Sequence, residues 1–431
     1  MSSSPLSRQI LRAGSAPASW SGRLTTLGYA LLAALPLAMW IANRSAPLVL
    51  GMAAAAFTAA SVMADGWRAP LRRLLDILRS PVGFAICAFL LWSLVTLAWS
   101  HRPAQGLRMW GELVLPLLFG LAITASDRFR PGVTLSRALA LSLVAASVLI
   151  MVELGSGLSQ RIMLGVGKQY GFVFNRPALT CLFLAGAVLP GLWSHVGPNR
   201  HVGANRRDRL LAWLSTGLVV VAVIAMIFAS DSGAAKLGLA ILIAVWVVAQ
   251  LLPRLALWAV MLGFVLTMAL SPVIGRLADA AFPPSLYTEL QEAHSRERVD
   301  IWLSFGEAIR ARPLLGSGFG TSAALDSHPV ALAVSEAHRP MLAVGHPHSA
   351  PIQAWVETGA PGAAVLAFAG VACLWRLRRL PASRLAPRLA LFASAFGVAS
   401  VAHGAWQGWW IAALTVAALW LYAALPEPGG E

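Results

Sequence analysis

Run after run of about twenty apolar residues, divided by short arginine-bearing segments, constrains this chain more than any other feature. A bilayer core of about 30 Å takes ~20 residues of helix to cross. Inside it every backbone N–H and C=O must find a partner within the protein, which leaves only helices or a closed barrel. The runs show no two-residue alternation, so they read as helices. Twelve of them lie near 25–42, 46–64, 82–99, 110–126, 134–154, 177–194, 210–229, 235–251, 255–271, 351–375, 389–405 and 407–425. The expected fold class is all-α: a polytopic integral membrane protein of about twelve transmembrane helices, forming a single membrane domain over residues 1–431.

The distribution of charge sets the orientation. A net charge of +15 could suggest nucleic acid as a partner, but only 12% of residues are charged and 58% are apolar. The arginines fall between apolar runs and form no basic domain or groove-reading motif, so no nucleic-acid partner is expected. Membrane proteins mark their cytoplasmic loops in this way. With a cytoplasmic N-terminus, the inside segments take Arg8, Arg12 and Arg23; Arg68, Arg72, Arg73 and Arg79; Arg128, Arg130 and Arg137; Arg200, Arg206, Arg207 and Arg209; Arg254; and Arg376, Arg378, Arg379, Arg384 and Arg388. The short outside segments keep only Arg44, Arg102, Arg108, Arg161, Lys168, Arg176 and Lys236. Both termini are then cytoplasmic in a bacterial inner membrane, with membrane lipids as the surrounding partners. No small-residue cleavage site follows the first run, so that run is expected to remain as a membrane helix. Cys87, Cys181 and Cys373 all fall inside apolar runs, which offers neither a disulfide framework nor a CxxC metal site.

One outside segment is long. Residues 272–350 form a loop expected to face the periplasm and to carry part of a site, because a pure connector would be short. Within it Ile301, Trp302, Phe305 and Ile309 recur at helical spacing, and Pro313 with the glycines at 316, 318 and 320 ends that helix. Those glycines are followed by no Lys-Ser/Thr pair, so they read as a turn rather than a phosphate cradle. His348-Ser349 opens the tenth run, and nine residues later comes Gly359-Ala360-Pro361-Gly362, which reads as a helix break or a close-packing site. Glu357, within that run, is expensive in lipid and should face the protein interior.

These residues resemble the O-antigen ligase superfamily, which includes O-antigen ligases, O-antigen polymerases and protein O-oligosaccharyltransferases. His348-Ser349, nine residues, Gly359, two residues, Gly362 is similar to the family's ligase signature. Arg298 to Trp302, followed by Pro313-Leu314-Leu315-Gly316-Ser317-Gly318, resembles its Arg-x-x-x-Trp and Pro-Leu-x-Gly-x-Gly elements. A third element, Ser-x-Ser-Arg, is matched by Ser230-Asp231-Ser232-Gly233, with glycine where the arginine is expected. Lys236, one helical turn on, and Arg176, at the start of the sixth run, are rival replacements for that cation.

The resemblance implies a metal-independent, inverting glycosyltransferase without a cofactor. Its donor would be an undecaprenyl-diphosphate-linked glycan, and its acceptor a hydroxyl of lipid A-core, of another glycan or of a protein. His348 would take the acceptor proton and Arg298 would bind the diphosphate. Arg176, Lys236, Ser230, Ser232, Arg296 and Ser349 would be further substrate-binding residues. The chemistry suits these types: arginine's fork matches phosphate oxygens in pairs, and an imidazole is a fitting proton acceptor near neutrality. No Asp-x-Asp pair or carboxylate cluster for Mg²⁺ stands on the outer side. His338, His346 and His348 could instead hold a metal, but no carboxylate or cysteine accompanies them. Within the family a ligase that joins O-antigen to lipid A-core is the leading expectation, ahead of an O-antigen or exopolysaccharide polymerase and a protein O-glycosyl ligase. A transporter is the reading from another class, and against it no paired broken helices appear.

Overall fold

A computed structural model describes residues 19–166, 170–194, 206–283, 285 and 295–425. Arg8, Arg12, Lys168 and Arg200 lie outside the described residues. No strand occurs among those described, and the fold is all-α. The helices are α1 (Trp20–Ala33), α2 (Leu35–Ile41), α3 (Ala46–Asp65), α4 (Arg68–Leu78), α5 (Pro81–Val95), α6 (Pro103–Ser126), α7 (Val133–Gly155), α8 (Ser159–Met163), α9 (Asn175–Ser194), α10 (Arg206–Ala229), α11 (Gly233–Leu251), α12 (Pro253–Leu270), α13 (Ile274–Ala281), α14 (Ser295–Ala311), α15 (Ala350–Arg376), α16 (Ala382–Val401) and α17 (Gly408–Ala424).

Ten helical spans among the described residues are long and apolar enough to cross a membrane. The count of twelve uniform spans needs correction at two places. The first run is broken into α1 and α2, bent by 54°, and the pair makes an eleventh span if counted as one. Pro36 is the cause: it has no N–H to give to the preceding turn, so the chain restarts at Ala34. The last run, Gly408–Ala423, is apolar but shorter than a full crossing. The tight connection between α11 and α12 occurs as expected, with Pro253 opening the second helix.

The interior is built from two apolar clusters inside the bundle. One joins α1, α3, α7, α9, α10 and α17 around Phe57, Phe174, Phe183 and Trp420. The other joins α12, α15 and α16 around Phe264, Leu374 and Leu389. Small residues let α11 and α16 approach closely, and Ser394 Oγ donates to the Gly238 carbonyl at 2.6 Å.

α6 defines the two ends of the bundle. Its 24 residues rise about 36 Å, enough to cross the bilayer core. At its carboxy-terminal end Arg73 donates to the carbonyls of Ala125 and Ser126, and Arg73 and Arg128 both reach Asp65. At its amino-terminal end Gly106 abuts the backbone of Phe319 and Gly320. The arginine-rich connections around α4 and the segment that follows α14 therefore sit at opposite ends.

That second segment is a packed cap. Phe305 and Ile309 of α14 bury themselves with Leu325, Val330 and Leu342 of the following 3-10 turns and with Ile352 and Val356 of α15. Its root is a backbone clasp. α15 breaks at Gly359, whose φ of 66° and ψ of −171° suit glycine alone. Into that break fits the strand-like turn after Pro313. Ala360 N donates to Pro313 O (2.9 Å), Ser317 N to Val356 O (2.7 Å) and Gly318 N to Glu357 O (3.0 Å). Trp92 Nε1 donates to the freed Thr358 carbonyl at 2.8 Å. A Cβ on Gly316 would lie 2.6 Å from Gly359 N, and one on Gly359 would overlap Leu314 O.

Gly359→Ala is therefore expected to destabilise the protein. The backbone conformation alone costs an alanine roughly 1–3 kcal/mol, against a typical total stability of about 5–15 kcal/mol. Thermal unfolding in detergent measures it, with Gly263→Ala as the comparison because nothing lies within 4 Å of a Cβ there. An unchanged melting temperature for Gly359→Ala would refute the clasp.

Candidate active site

Five side chains from four parts of the chain converge at the cap end of the bundle. Arg298 is carried by α14, one turn before Trp302. Trp302 Nε1 donates to Pro347 O at 3.2 Å, which fastens α14 to the segment leading into α15. His346 and His348 lie on that segment, with ring centroids 4.2 Å apart. Arg176 stands in the first turn of α9, its guanidinium 5.5 Å from the centre of the Trp409 ring. His403 lies in the connector between α16 and α17, packed against Trp409 and Trp410 at 5.3 and 5.2 Å.

His348 is held in an unusual backbone state. Its φ is 49°, a left-handed value rare for a residue with a side chain. Its N–H donates to His346 Nδ1 at 3.2 Å. Its own Nδ1 lies 3.3 Å from the Ala402 carbonyl. A carbonyl can only accept, so Nδ1 carries the hydrogen and Nε2 is left with its lone pair. Strain of this kind persists only where the surroundings over-determine it.

The electrostatics keep all three imidazoles neutral. Burial lowers the His348 pKa from 6.5, the Ala402 bond opposes that, and Arg298 lowers it further. Burial, then His348 and Arg298, push His346 down to about 4. Burial is again the main cause at His403, pushed to about 3, with His346, Arg176, His348 and Arg298 adding to it. Arg176 and Arg298 both act on His403, so the two cations share one small volume with the three rings. His403 Nε2 is buried with no hydrogen bond among the described residues.

The other residues singled out by sequence stand differently. Ser349 is buried at the amino-terminal cap of α15, directly beside His348. Ser230 and Ser232 are buried, but their hydroxyls serve the backbone: Ser230 Oγ donates to Ile227 O, and Ser232 Oγ accepts from Ala235 N to cap α11. Lys236 is on an exposed face of α11, and no contact links it to Arg298 or His348. Arg296 pairs with Asp279 (2.9 Å) and Asp300 (3.0 Å), joining α14 to α13. At Gly233 a side chain would meet open space, so no steric barrier explains the missing arginine. His338 turns away from His346 to meet Glu307 at 2.9 Å. Among the described residues no group of three His, Cys, Asp or Glu side chains could hold a metal ion.

His403 was not legible as a site residue, because the eleventh run, 389–405, reads as membrane helix throughout. The structure ends α16 at Val401, and the chain turns at His403-Gly404 before the buried Ala405 and Trp406. A histidine beside a glycine at the end of an apolar run was the only signal available.

What the arrangement can do follows from its parts. A neutral imidazole with a free Nε2 can take a proton from a hydroxyl, and two arginines beside it can hold an anion that gains charge as a bond breaks.

Residues 218–367 match the family model described as O-Antigen ligase, a stretch that runs from α10 through Arg298, the clasp and His348. The chain is 20% identical to a "Putative polysaccharide ligase" of Rickettsia felis over 80% of its own length and 83% of that protein's. It is 23% identical to a protein of like name from Rickettsia prowazekii, over 46% of its length and 49% of the relative's.

Proposed function

Because the chain belongs to the O-antigen ligase superfamily, we propose that this multi-pass membrane enzyme moves a glycan from an undecaprenyl-diphosphate carrier onto a hydroxyl, most readily O-antigen onto lipid A-core. The observation that carries the reading is the meeting of Arg298 and Arg176 with His348 at one end of the bundle, opposite the arginine-rich connections. Positive-inside placement puts those connections in the cytoplasm. The cap formed by α14 and the 3-10 turns after it, with its site, then faces the periplasm, where a lipid-linked glycan is consumed.

In the reaction, the acceptor O–H gives its proton to His348 Nε2 as its oxygen bonds to the anomeric carbon. The bond from that carbon to the diphosphate oxygen breaks on the opposite face, so the configuration inverts. The leaving diphosphate takes the electron pair and is held by Arg298 and Arg176. Arginine suits this role because its planar fork engages two phosphate oxygens at once. With charge stabilisation assigned to the arginines, no divalent cation is required.

Two measurements test the proposal. Purified enzyme, lipid-diphosphate glycan and lipid A-core should give ligated product at the same rate with and without EDTA. In the source strain, deletion should leave bare core together with carrier-bound polymer. Single-repeat lipopolysaccharide would point to a polymerase, and intact lipopolysaccharide with unglycosylated periplasmic proteins to a protein O-glycosyl ligase. Either result would overturn the ligase assignment.

A further inference from the structure

One fully buried carboxylate near the cap is not part of the chemistry described above. Glu357 is fully buried in α15, two and a half turns below His348. Four N–H groups converge on it. Gly320 N (2.8 Å) and Trp406 Nε1 (2.7 Å) donate to Oε2, while Gln353 Nε2 (2.9 Å) and Ser322 N (3.3 Å) donate to Oε1. All four are donors, which is the pattern of an acceptor-only carboxylate. Gln353 then uses its Oε1 to accept from Ala405 N at 2.8 Å. Two side chains of α15 thus hold both Ala405 and Trp406.

These ties end three residues from the atom that orients His348. The connector begins at Ala402, whose carbonyl accepts from His348 Nδ1. The path is therefore closed: from His348 across to Ala402, along the connector to Ala405 and Trp406, back through Gln353 and Glu357, and up α15 to His348. Ala402 caps α16 with its N–H on Val398 O at 3.0 Å, while the ties at 405 and 406 hold the far side of the connector; without the Ala402 acceptor either ring nitrogen could carry the hydrogen.

We propose that Glu357, acting with Gln353, is a positioning residue that sets the tautomer of His348 by pinning the 402–406 connector. This rests on His348 being the base of the transfer. The buried anion is far more than a surface ion pair in this setting. An exposed pair is screened by water and contributes little, whereas a buried acceptor surrounded by donors cannot be removed without leaving several of them unsatisfied.

The choice of variants separates positioning from folding. Glu357→Gln keeps the volume but replaces one acceptor oxygen with an NH₂. In either amide orientation the NH₂ faces two donors: Gly320 N and Trp406 Nε1 if it replaces Oε2, Gln353 Nε2 and Ser322 N if it replaces Oε1. Trp406→Phe deletes the indole N–H together with its five-membered ring and keeps a benzene ring against Phe319, which stacks on Trp406 at 5.1 Å. Transfer rate against pH should be measured for full-length enzyme and both variants in detergent or nanodiscs, with His348→Ala as reference. Each variant should lose up to about a hundredfold at the plateau, the scale of a 1 Å misplacement. The acid limb should also move to lower pH, because the Ala402 bond that supports protonation of His348 is weakened.

A rate loss equal at every pH would show a role in folding only and would overturn the proposal, as would unchanged kinetics. Nitrogen-15 NMR of histidine-labelled protein reports the tautomer whether or not transfer is seen. A single Nδ1–H form at His348 in the wild type, becoming mixed in the variants, supports positioning; the same form in all three overturns it. Transfer surviving in His348→Ala would instead refute the functional reading, while the NMR result would still stand for Glu357.

Discussion

His348→Ala should lose essentially all glycan transfer, with a fall of about 10²–10⁴ in rate from the missing base and normal insertion in the membrane. The expectation rests on what holds the ring. A left-handed φ, an N–H bond to His346 and an Nδ1 bond to Ala402 together fix the ring and leave Nε2 with its lone pair. The pH dependence has a definite sign. Burial and Arg298 hold the His348 pKa below 6.5, and the base works only when unprotonated. The rate should be flat through neutrality and decline as the medium is acidified below 6.5 through the lowered value. Product formation by His348→Ala at the wild-type rate, measured on purified enzyme, would sink the assignment.

Arg298→Ala should cost about 10²–10³ in transfer, the range for removing one donor that stabilises developing charge. Lysine should not restore it, because an ammonium is a point charge and cannot form the paired bonds that a guanidinium makes to phosphate. The cap is held by Trp302 against Pro347 and by Phe305 and Ile309 in the apolar cluster. Thermal unfolding of the variant beside its transfer rate separates loss of diphosphate binding from loss of the fold. Full activity of Arg298→Lys would show that charge alone suffices and that the fork plays no part.

Much of this was legible in the sequence, and the failures have physical causes. The apolar runs show where helices are because a bilayer leaves few alternatives. They do not show where a helix bends, so the break before Pro36 split a run that looked continuous. Helix ends were blurred by arginine. The eleventh helix was expected from 389, yet α16 starts at Ala382, with Arg384 and Arg388 inside its first turns. Arg388 is buried there, reaching the Leu425 carbonyl and lying 5.0 Å from the Tyr422 ring. A long side chain can lie along apolar surface while its charged end finds polar company. The expected helix within the long loop is present as α14, since Ile301, Phe305 and Ile309 share one face.

The candidate site was legible only in part. Arg298 and His348 belong to recognisable spacings, but the meaning of the spacings was hidden: the Pro313–Gly318 segment and Gly359 are two halves of one clasp. Ser230 and Ser232 have the expected identities and spend their hydroxyls on backbone groups. Lys236 has the expected charge and is exposed on α11. His403 and Glu357 become informative only when the connector at 402–406 is seen against α15, a proximity that no local pattern encodes.

The clasp also decides what in this region can vary. Ala360 N bonded to Pro313 O closes a ring of chain between the end of α14 and the middle of α15, and Trp302 bonded to Pro347 closes a second ring that overlaps it. The spacing between Arg298 and His348 is thus set by these two closures and not by the amount of chain that runs between them. Lengthening a closed loop costs little, about 0.6 kcal/mol per doubling. Insertions at the exposed positions 332–333, between the buried Ala331 and Val334, can accordingly reshape the outer surface while Arg298 and His348 keep their register, so surface shape and the spacing of those two groups can vary separately.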